Sequence, residues 1–423
     1  MDTDRKIYSF SRIVRQEEEG HYLMVPFSMP EQAEKIEISY EYDRENGIID
    51  FGLSDADGEF VGWSGSDRSS ITVCEYGSSA GFADTAIKPG TWNVILGAYH
   101  VANPSMEVKY RLAVYGKHRQ LLKGDTHIHS TGSDGKLRAA EIREEAIGKQ
   151  LDYIFLTDHN NFQKSVQGLS GEKITVIPGV EWTHYKGHAG LLGVTKPFKN
   201  FIAESEEDTE SIIREAHEAG ATVSLNHPFC PSCGWKWKMD VPYDLVEIWN
   251  GGLSCEANQR CADWWEKKLK AGYRIPVIGG SDFHSAGPGR EIAMPCTFVR
   301  AMSRSAADIL EAMRGGHSFV SISPQGPTAG ILTAGVEFGD EVGRDTDISV
   351  KFEQLKEDDE VYLVSESGRE KLPVHNGEAL LDHEKIMTRT KYCFAEVYRK
   401  FPSDGISRMI MITNPIYASG EKE

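Results

Sequence analysis

The chain has 423 residues, with 46 basic and 64 acidic side chains and a formal net charge of −18. That length exceeds one ordinary core and implies two or three domains. The acidic balance disfavours extended nucleic-acid or membrane binding through bulk charge, but it leaves an anionic small molecule open, because divalent cations reverse the local field of an acidic site.

The first residues, MDTDRKIYSFSRIVRQEEEG, are charged and lack an apolar signal core, and no apolar run approaches a bilayer span. The expected location is the cytoplasm; a secreted form with a trimmed signal would leave the same picture. Seven cysteines, scattered from Cys74 to Cys393, do not suggest a disulfide framework.

Residues 1–118 hold short strand-like runs, among them Lys35 to Tyr40 and Trp92 to Gly97, separated by turn clusters such as Asp55-Ala56-Asp57-Gly58. Alternation with frequent turns predicts an antiparallel, β-sandwich-like domain. Trp63 and Trp92 fill its core in one reading and line a carbohydrate or peptide groove in the other.

From 119 to 324 the rhythm becomes strand, helix, strand. Strands are predicted over Lys123–His129, Tyr153–Asp158, Ile174–Thr183, Ala221–Asn226, Leu245–Trp249 and Val277–Gly280. Helices are predicted over Arg138–Lys149, Glu206–Ala219, Cys255–Ala271 and Ser305–Arg314, the last stopped by Gly315-Gly316. Such alternation implies a parallel sheet, open or closed into a barrel, with its chemistry at the carboxyl ends of the strands. From 325 to 423, after Pro324-Gln325-Gly326-Pro327, the runs Asp347–Phe352, Glu360–Val364 and Met409–Thr413 predict a small C-terminal β domain.

The middle segment carries metal-ligand residue types in short stretches. They are His127-Ile128-His129 with Asp134, Thr157-Asp158-His159, Glu181 with His188, Asn226-His227-Pro228, and Ser281-Asp282-Phe283-His284. Alternate residues on a strand share a face, so His127 and His129 point together and Ile128 points away; Asp282, Phe283 and His284 repeat the arrangement. Imidazoles and carboxylates converging on one cavity suit zinc, manganese or iron. These donors exceed what one ion uses, so two or three divalent ions and a multinuclear metallohydrolase are expected. Most of the candidates stand at or just past a predicted strand end.

Other residues have plainer readings. His21, His100, His118, His217, His317, His375 and His383 have no partner pattern and read as surface or structural. Asp158 diverges from its neighbour His159 and reads as a residue that orients a ligand or carries a proton. Arg290 reads as a surface arginine or as a contact to a substrate phosphate. Cys230-Pro231-Ser232-Cys233 has redox or zinc spacing, but no second such pair follows. Its first reading is reduced thiols beside the site; a zinc knuckle or a sulfur ligand is the other.

The strings GDTHIHSTGSDGK, FLTDHNN, GVEW, GHAGLLG, NHP and GGSDFH, in that order, resemble the PHP (polymerase and histidinol phosphatase) superfamily, nearest its phosphoesterase and carbaryl-hydrolase-like branch. The resemblance covers the central half of the chain. It implies an α/β fold, a distorted (β/α)7 barrel flanked by the two β domains, and a two- or three-metal cluster. By position, His127 and His129 match the opening pair, Asp134 the following acid, His159 the TDH histidine, and Glu181 a bridging carboxylate. His188 matches the histidine before the small-residue strand, His227 the NHP histidine, and Asp282 with His284 the closing pair. His184 competes with His188 for its place; the start of a strand at Gly187-His188 favours His188.

The function expected is a phosphoesterase that hydrolyses a small phosphomonoester, such as a nucleotide or an oligonucleotide end, through a metal-activated hydroxide. A carboxylic or carbamic ester hydrolase using the same cluster is the alternative, favoured by Trp182, Trp235, Trp237, Trp249, Trp264 and Trp265 and by few nearby cations. A non-catalytic, metal-stabilised binding protein is the third reading. No GxSxG elbow or GxxxxGK[ST] loop is present, which removes the serine-hydrolase and nucleotide-triphosphatase templates.

Overall fold

The structure, a computed structural model, describes residues 5–420 apart from 163–165, 167, 197–198 and 253–255. The chain divides into two compact units, residues 1–119 and 120–423.

In the first unit the described strands are β1 (Arg5–Arg15), β2 (Tyr22–Met29), β3 (Ala33–Glu41), β4 (Gly47–Ser54), β5 (Phe60–Ser64), β6 (Ser70–Cys74), β7 (Gly90–Val101) and β8 (Ser105–Gly116). They pair antiparallel into two sheets, in the orders β1-β8-β3-β6 and β2-β7-β4-β5. Period-two burial along β8 places Met106, Val108, Tyr110 and Leu112 in a core shared with Leu96 of β7 and Ile38 of β3. Trp92 is fully buried and donates its indole N–H to Lys88 O at 2.8 Å, a core role. Trp63 is half-buried against Tyr22.

The second unit begins with β9 (Gln120–Asp125), α1 (Ala139–Gly148), β10 (Tyr153–Leu156), β11 (Thr175–His184), β12 (Gly187–Leu192), α2 (Glu206–Glu218) and β13 (Thr222–Asn226). It continues with β14 (Leu245–Asn250), α3 (Glu256–Lys270), β15 (Val277–Gly280), β16 (Cys296–Ala301), α4 (Ala306–Arg314) and β17 (Ser318–Ser321). The helices follow from their sequences. In α2, Ser205 accepts from Asp208 N and the Asp208 carboxylate accepts from Ser205 N, a capping box. Its buried residues Thr209, Ile212, Ile213 and Ala216 keep one helical face. Helix α4 stops at Gly315, followed by Gly316 at φ +72°, a left-handed position that favours glycine. Cys255, expected at the start of α3, lies outside the described residues.

Strands β9, β10 and β11 are mutually parallel, as are β13, β14 and β15. Strand β12 departs from the expected parallel arrangement, being antiparallel to both β11 and β13. Two residues, Tyr185 and Lys186, join β11 to β12, and so short a connection makes a hairpin, never a parallel crossover. Beyond β9 and β15 the chain segments meet again: Ile128 bridges Phe283 in parallel, and His129 N donates to Phe283 O at 2.9 Å.

The last residues form β18 (Thr328–Ile331), β19 (Glu341–Val342), β20 (Ile348–Glu353), β21 (Glu360–Ser365), β22 (Gly368–Leu372), β23 (Ala379–Glu384), β24 (Tyr392–Lys400), β25 (Ser407–Thr413) and β26 (Ile416–Ala418). The small domain expected over 325–423 does not stand apart from the segment before it. Strand β25 pairs with β17, β16 joins β17 to β9, and the sheet runs on through β24, β21 and β22. Asn414 fastens this joint: its Oδ1 accepts from Val277 N at 2.8 Å and its Nδ2 donates to Ser318 O at 3.0 Å.

One carboxylate in this joint makes stability depend on pH. Glu396 of β24 is 2% exposed, and burial pushes its carboxyl up to about 7 against the pull of Arg369, 3.0 Å away. An unfolded glutamate titrates at about 4.3, so the folded state favours the protonated form and loses stability as pH rises from about 4.5 to about 7. Glu396→Gln should flatten that fall by at most about 3 kcal/mol in urea unfolding at pH about 4.5 and about 7.5. An unaltered slope would refute the assignment.

Candidate metal centre

The fold delivers the donors to one end of the parallel strands. His127 and His129 follow β9, His159 follows β10, His227 follows β13, and Asp282 and His284 follow β15. Glu181 lies within β11. His188 is the second residue of β12, and because β12 runs antiparallel its start lies at the same end as its neighbours' finishes.

Glu181 is the hub, fully buried. Its Oε1 lies 3.0 Å from His227 Nε2, 3.2 Å from His127 Nε2 and 3.2 Å from His188 Nδ1, and it accepts from Asn226 Nδ2 at 3.0 Å. Its Oε2 lies 2.9 Å from His159 Nδ1 and 3.4 Å from His129 Nε2. Asp282 Oδ1 lies 3.1 Å from His129 Nε2 and 3.3 Å from His127 Nε2. His284 Nε2 lies 3.2 Å from Asp134 Oδ1, with His159 Nε2 at 3.7 Å. The donors fall into overlapping groups with atoms within 4.8 Å of one another: His129, Asp134, His159 and His284; His127, His129 and Asp282; His159, Glu181 and His188; and His127, His227 and Glu247.

Most of the rings are aimed by what their outer nitrogen meets. His127 Nδ1 faces Glu247 Oε1 at 3.0 Å, His159 Nδ1 faces Thr183 Oγ1 at 2.6 Å, and His284 Nδ1 faces Asp282 O at 2.8 Å. Thr183 Oγ1 itself donates to Glu181 O, so it accepts from the His159 ring. These partners place the proton on Nδ1 and turn the Nε2 lone pair inward, as a metal-ligating histidine requires. His227 follows with Cys233 Sγ 3.7 Å from its Nδ1. His188 is the exception, since its Nδ1 is the nitrogen that faces Glu181.

The electrostatics call for cations. Burial would raise the Glu181 carboxyl, but His127 and its neighbours hold it well below the usual range. Burial likewise opposes charge on His127, yet Glu181, Asp282 and Glu247 hold that ring well above an ordinary histidine. His129 is depressed by burial and by the His127 charge. The carboxylates thus need positive charge, which protons supply in part and divalent ions would supply in full. Two details fit ions. Glu181 Oε2 is buried without an acceptable hydrogen bond although His159 Nδ1 is close, the ring being directed at Thr183. His127 Nε2 and His129 Nε2 face each other at 3.0 Å, close to the separation of about 3.3 Å between two nitrogens on one tetrahedral zinc.

The backbone bends to build the site. Non-glycine residues His227 and Asp282 sit at φ 30° and 51°, in the left-handed region, at a cost of order 1–3 kcal/mol each. Gly280 has its own reason: a Cβ there would lie 2.4 Å from His127 Cβ and 2.9 Å from Glu247 Oε1.

The remaining candidates are placed as follows. Asp158 is buried and accepts from Ser130 N at 2.7 Å, Ser130 Oγ at 2.9 Å and Ser133 Oγ at 2.8 Å, holding the turn that carries Asp134. Arg290 is exposed in a turn closed by Arg290 N donating to Gly287 O, and its side chain makes no hydrogen bond or ion pair among the described residues. His184 lies against Trp182 and Trp237, away from Glu181, which leaves the place beside the carboxylate to His188. Trp182, Trp235, Trp237, Trp249 and Trp265 are buried core residues and Trp264 packs on Phe229, so the expected tryptophan-lined pocket is absent among the described residues. Of the histidines read as structural, His217 pairs with Asp244 and His317 with Asp340. No helix among the described residues is long and apolar enough to cross a membrane.

Two buried carboxylates escaped the motif reading. Glu247 sits in Leu245-Val246-Glu247-Ile248-Trp249, and a lone acid inside a buried strand was the available signal. It faces His127 and accepts from His227 N at 2.9 Å. Asp125, pushed up to about 6 by burial, accepts from Ser281 N and Ala293 N and ties the segment after β9 to the segment after β15.

Two outcomes follow for metal binding. His129→Ala and Asp282→Ala should each remove most bound metal by elemental analysis, and a fully metallated double variant would refute the site. Glu247→Gln should weaken metal binding about 10- to 100-fold, the usual effect of losing the partner that aims a ligand. An unchanged dissociation constant in equilibrium dialysis would refute its role.

Comparison with known proteins adds the following. No family model matches the chain. Over 53 residues, 12% of its length, it is 42% identical to the DNA polymerase/3′-5′ exonuclease PolX of Bacillus subtilis, and the match spans 9% of that relative. A solved two-domain protein of Bacteroides vulgatus, described as containing a predicted PHP-like metal-dependent phosphoesterase, is 19% identical at a TM-score of 0.40, covering 69% of this chain and 95% of that one. A candidate metal-dependent phosphoesterase of Bifidobacterium adolescentis is 16% identical at a TM-score of 0.31, covering 40% and 90%. The order of its motifs resembles that of the PHP superfamily.

Proposed function

We propose that this chain is a metal-dependent phosphoesterase of the PHP superfamily, acting on a small phosphomonoester. The convergence of His127, His129, His159, His188 and His227 on buried Glu181 carries the reading. The fold that goes with it is a distorted seven-stranded barrel from β9 to β15, supported by the bridge between Ile128 and Phe283. We place the protein in the cytoplasm, with a phosphorylated small molecule as its partner.

Glu181 would be shared between ions, with His127, His129, His188, His227 and Asp282 around it; Asp134, His159 and His284 would hold a further one. Bound divalent ions (zinc, manganese or iron) would supply Lewis acidity toward the ester and acidify a water. The chain's own task is placement. Glu247, Thr183 and the Asp282 carbonyl fix which nitrogen of each ring carries the proton. Asp158 holds the Ser130–Ser133 turn in place and acts as a positioning residue. Arg290, exposed beyond His284, is our candidate for a contact to the phosphate.

One observation favours a second reading, a carboxylic or carbamic ester substrate. A cavity of about 490 Å³ beside His188 is lined by Tyr185, Phe201 and Ile202 among others, with no lysine or arginine in its wall among the described residues. Such a wall suits an uncharged, apolar group.

The test pairs p-nitrophenyl phosphate with p-nitrophenyl acetate, on chelated protein and on protein reloaded with manganese. Phosphate ester turnover that is lost on chelation and restored by manganese is expected. Turnover of the acetate alone would transfer the assignment to the ester hydrolase. Bound metal with neither activity would leave the binding-protein reading standing.

A further inference from the structure

Directly after β13, the loop from His227 to Trp235 holds a pair of cysteines that shares His227 with the metal centre. Cys230 Sγ and Cys233 Sγ lie 2.6 Å apart, inside van der Waals contact. Backbone bonds fix this closeness: Cys230 N donates to His227 O at 2.9 Å, Gly234 N to Cys230 O at 3.0 Å, and Trp235 N to Pro228 O at 2.9 Å. Gly234 is required for the fold-back, because a Cβ there would lie 2.4 Å from Cys230 O. Both cysteines are half-exposed and the two residues between them are exposed, whereas Cys74, Cys261, Cys296 and Cys393 are buried. Among the described cysteines, a small reagent therefore reaches this pair first.

The pair also touches the metal centre. Where His127, His159 and His284 present their outer nitrogen to a carboxylate, a hydroxyl and a carbonyl, His227 presents its own to Cys233 Sγ at 3.7 Å. A thiol or thiolate sulfur accepts a ring N–H better than a disulfide sulfur does, so oxidation would loosen the hold on His227. Cys233 and Ser232 further belong to the wall of the cavity beside His188.

We propose that Cys230 and Cys233 form a redox-active dithiol that exchanges with low-molecular-weight disulfides and thereby tunes metal binding through His227. The exchange balances simply. The Cys230 sulfur attacks one sulfur of the external disulfide, forming a mixed disulfide and releasing one thiolate. The Cys233 sulfur then attacks the Cys230 sulfur and releases the second. Two electrons pass from the cysteine pair to the external disulfide, and the two cysteine protons leave on the two released thiols. Cys230 is cast as the attacking sulfur because the Cys233 N–H is directed at it, at 3.4 Å. The exchange itself stands without the proposed hydrolase activity; the tuning rests on His227 as a ligand.

The experiment equilibrates the full chain in buffers of stepped reduced-to-oxidised glutathione ratio, quenches with acid, alkylates under denaturing conditions and maps peptides by mass. The peptide holding Cys230 and Cys233 should lose two hydrogens and escape alkylation while the four buried cysteines are still alkylated. Cys233→Ser should instead retain glutathione on Cys230, and if that variant does not fold, the wild-type cycle decides. Manganese affinity, by equilibrium dialysis, should fall about tenfold on oxidation and recover with dithiothreitol. Both thiols surviving a large excess of oxidised glutathione would overturn the dithiol, and a disulfide that leaves manganese affinity unchanged would overturn its tie to His227. A chain that binds no manganese in either state would sink the metal-centre reading, with the mass shift still scoring the dithiol.

Discussion

A carboxylate with no exposure to solvent must find positive charge, and Glu181 is that carboxylate. Its two oxygens gather five rings from four chain segments, each within 3.4 Å. Replaced by a neutral group, it would leave mutually repelling imidazoles; left without cations, it would be among the costliest groups in the molecule. The fold is arranged so that neither happens. His127, His159 and His227 are held above an ordinary histidine, so protons on these rings answer the carboxylate where no ion does.

That requirement explains otherwise unfavourable local choices. A doubly wound or barrel sheet prefers parallel neighbours, yet β12 runs the other way. Its reversal is what puts His188, near the start of a strand, at the end where β9, β10, β11, β13, β14 and β15 finish. His227 and Asp282 accept left-handed backbone to turn their side chains back over the sheet, and Gly280 keeps room for His127. Around this, Glu247 and Asp125 spend their charges on backbone N–H groups and a ligand ring, so that ligands from distant parts of the chain hold one geometry.

The donors were legible because each sits in a short pattern with a physical period. His127 and His129, or Asp282 and His284, straddle an apolar residue that the structure buries, Ile128 and Phe283, and these two bridge each other. Helices with capping signals, such as α2 and α4, were legible for the same local reason. What escaped depends on contacts between distant residues. Glu247 is marked only as a lone acid in a buried strand, and Asp125, though two residues before His127, shows its role only through its contacts to Ser281 and Ala293. The joining of the last strands to the sheet rests on Asn414 reaching Val277 and Ser318, far away in sequence. The tryptophans misled because large aromatic residues serve a core as readily as a pocket, and here they serve the core.

The cavity beside His188 is built from the same hairpin as the cluster. The hairpin that presents His188 to Glu181 also carries Tyr185 at its tip, 95% exposed, over the cavity that His188 shares. Metal geometry and pocket shape are therefore set by neighbouring residues of one turn. The two demands pull on different atoms, though: His188 is held by ladder pairing to Thr183 and Asn226, while Tyr185 lies outside that ladder. The turn can therefore vary at Tyr185 and Lys186, altering the cavity wall, while the pairing that holds His188 beside Glu181 is kept.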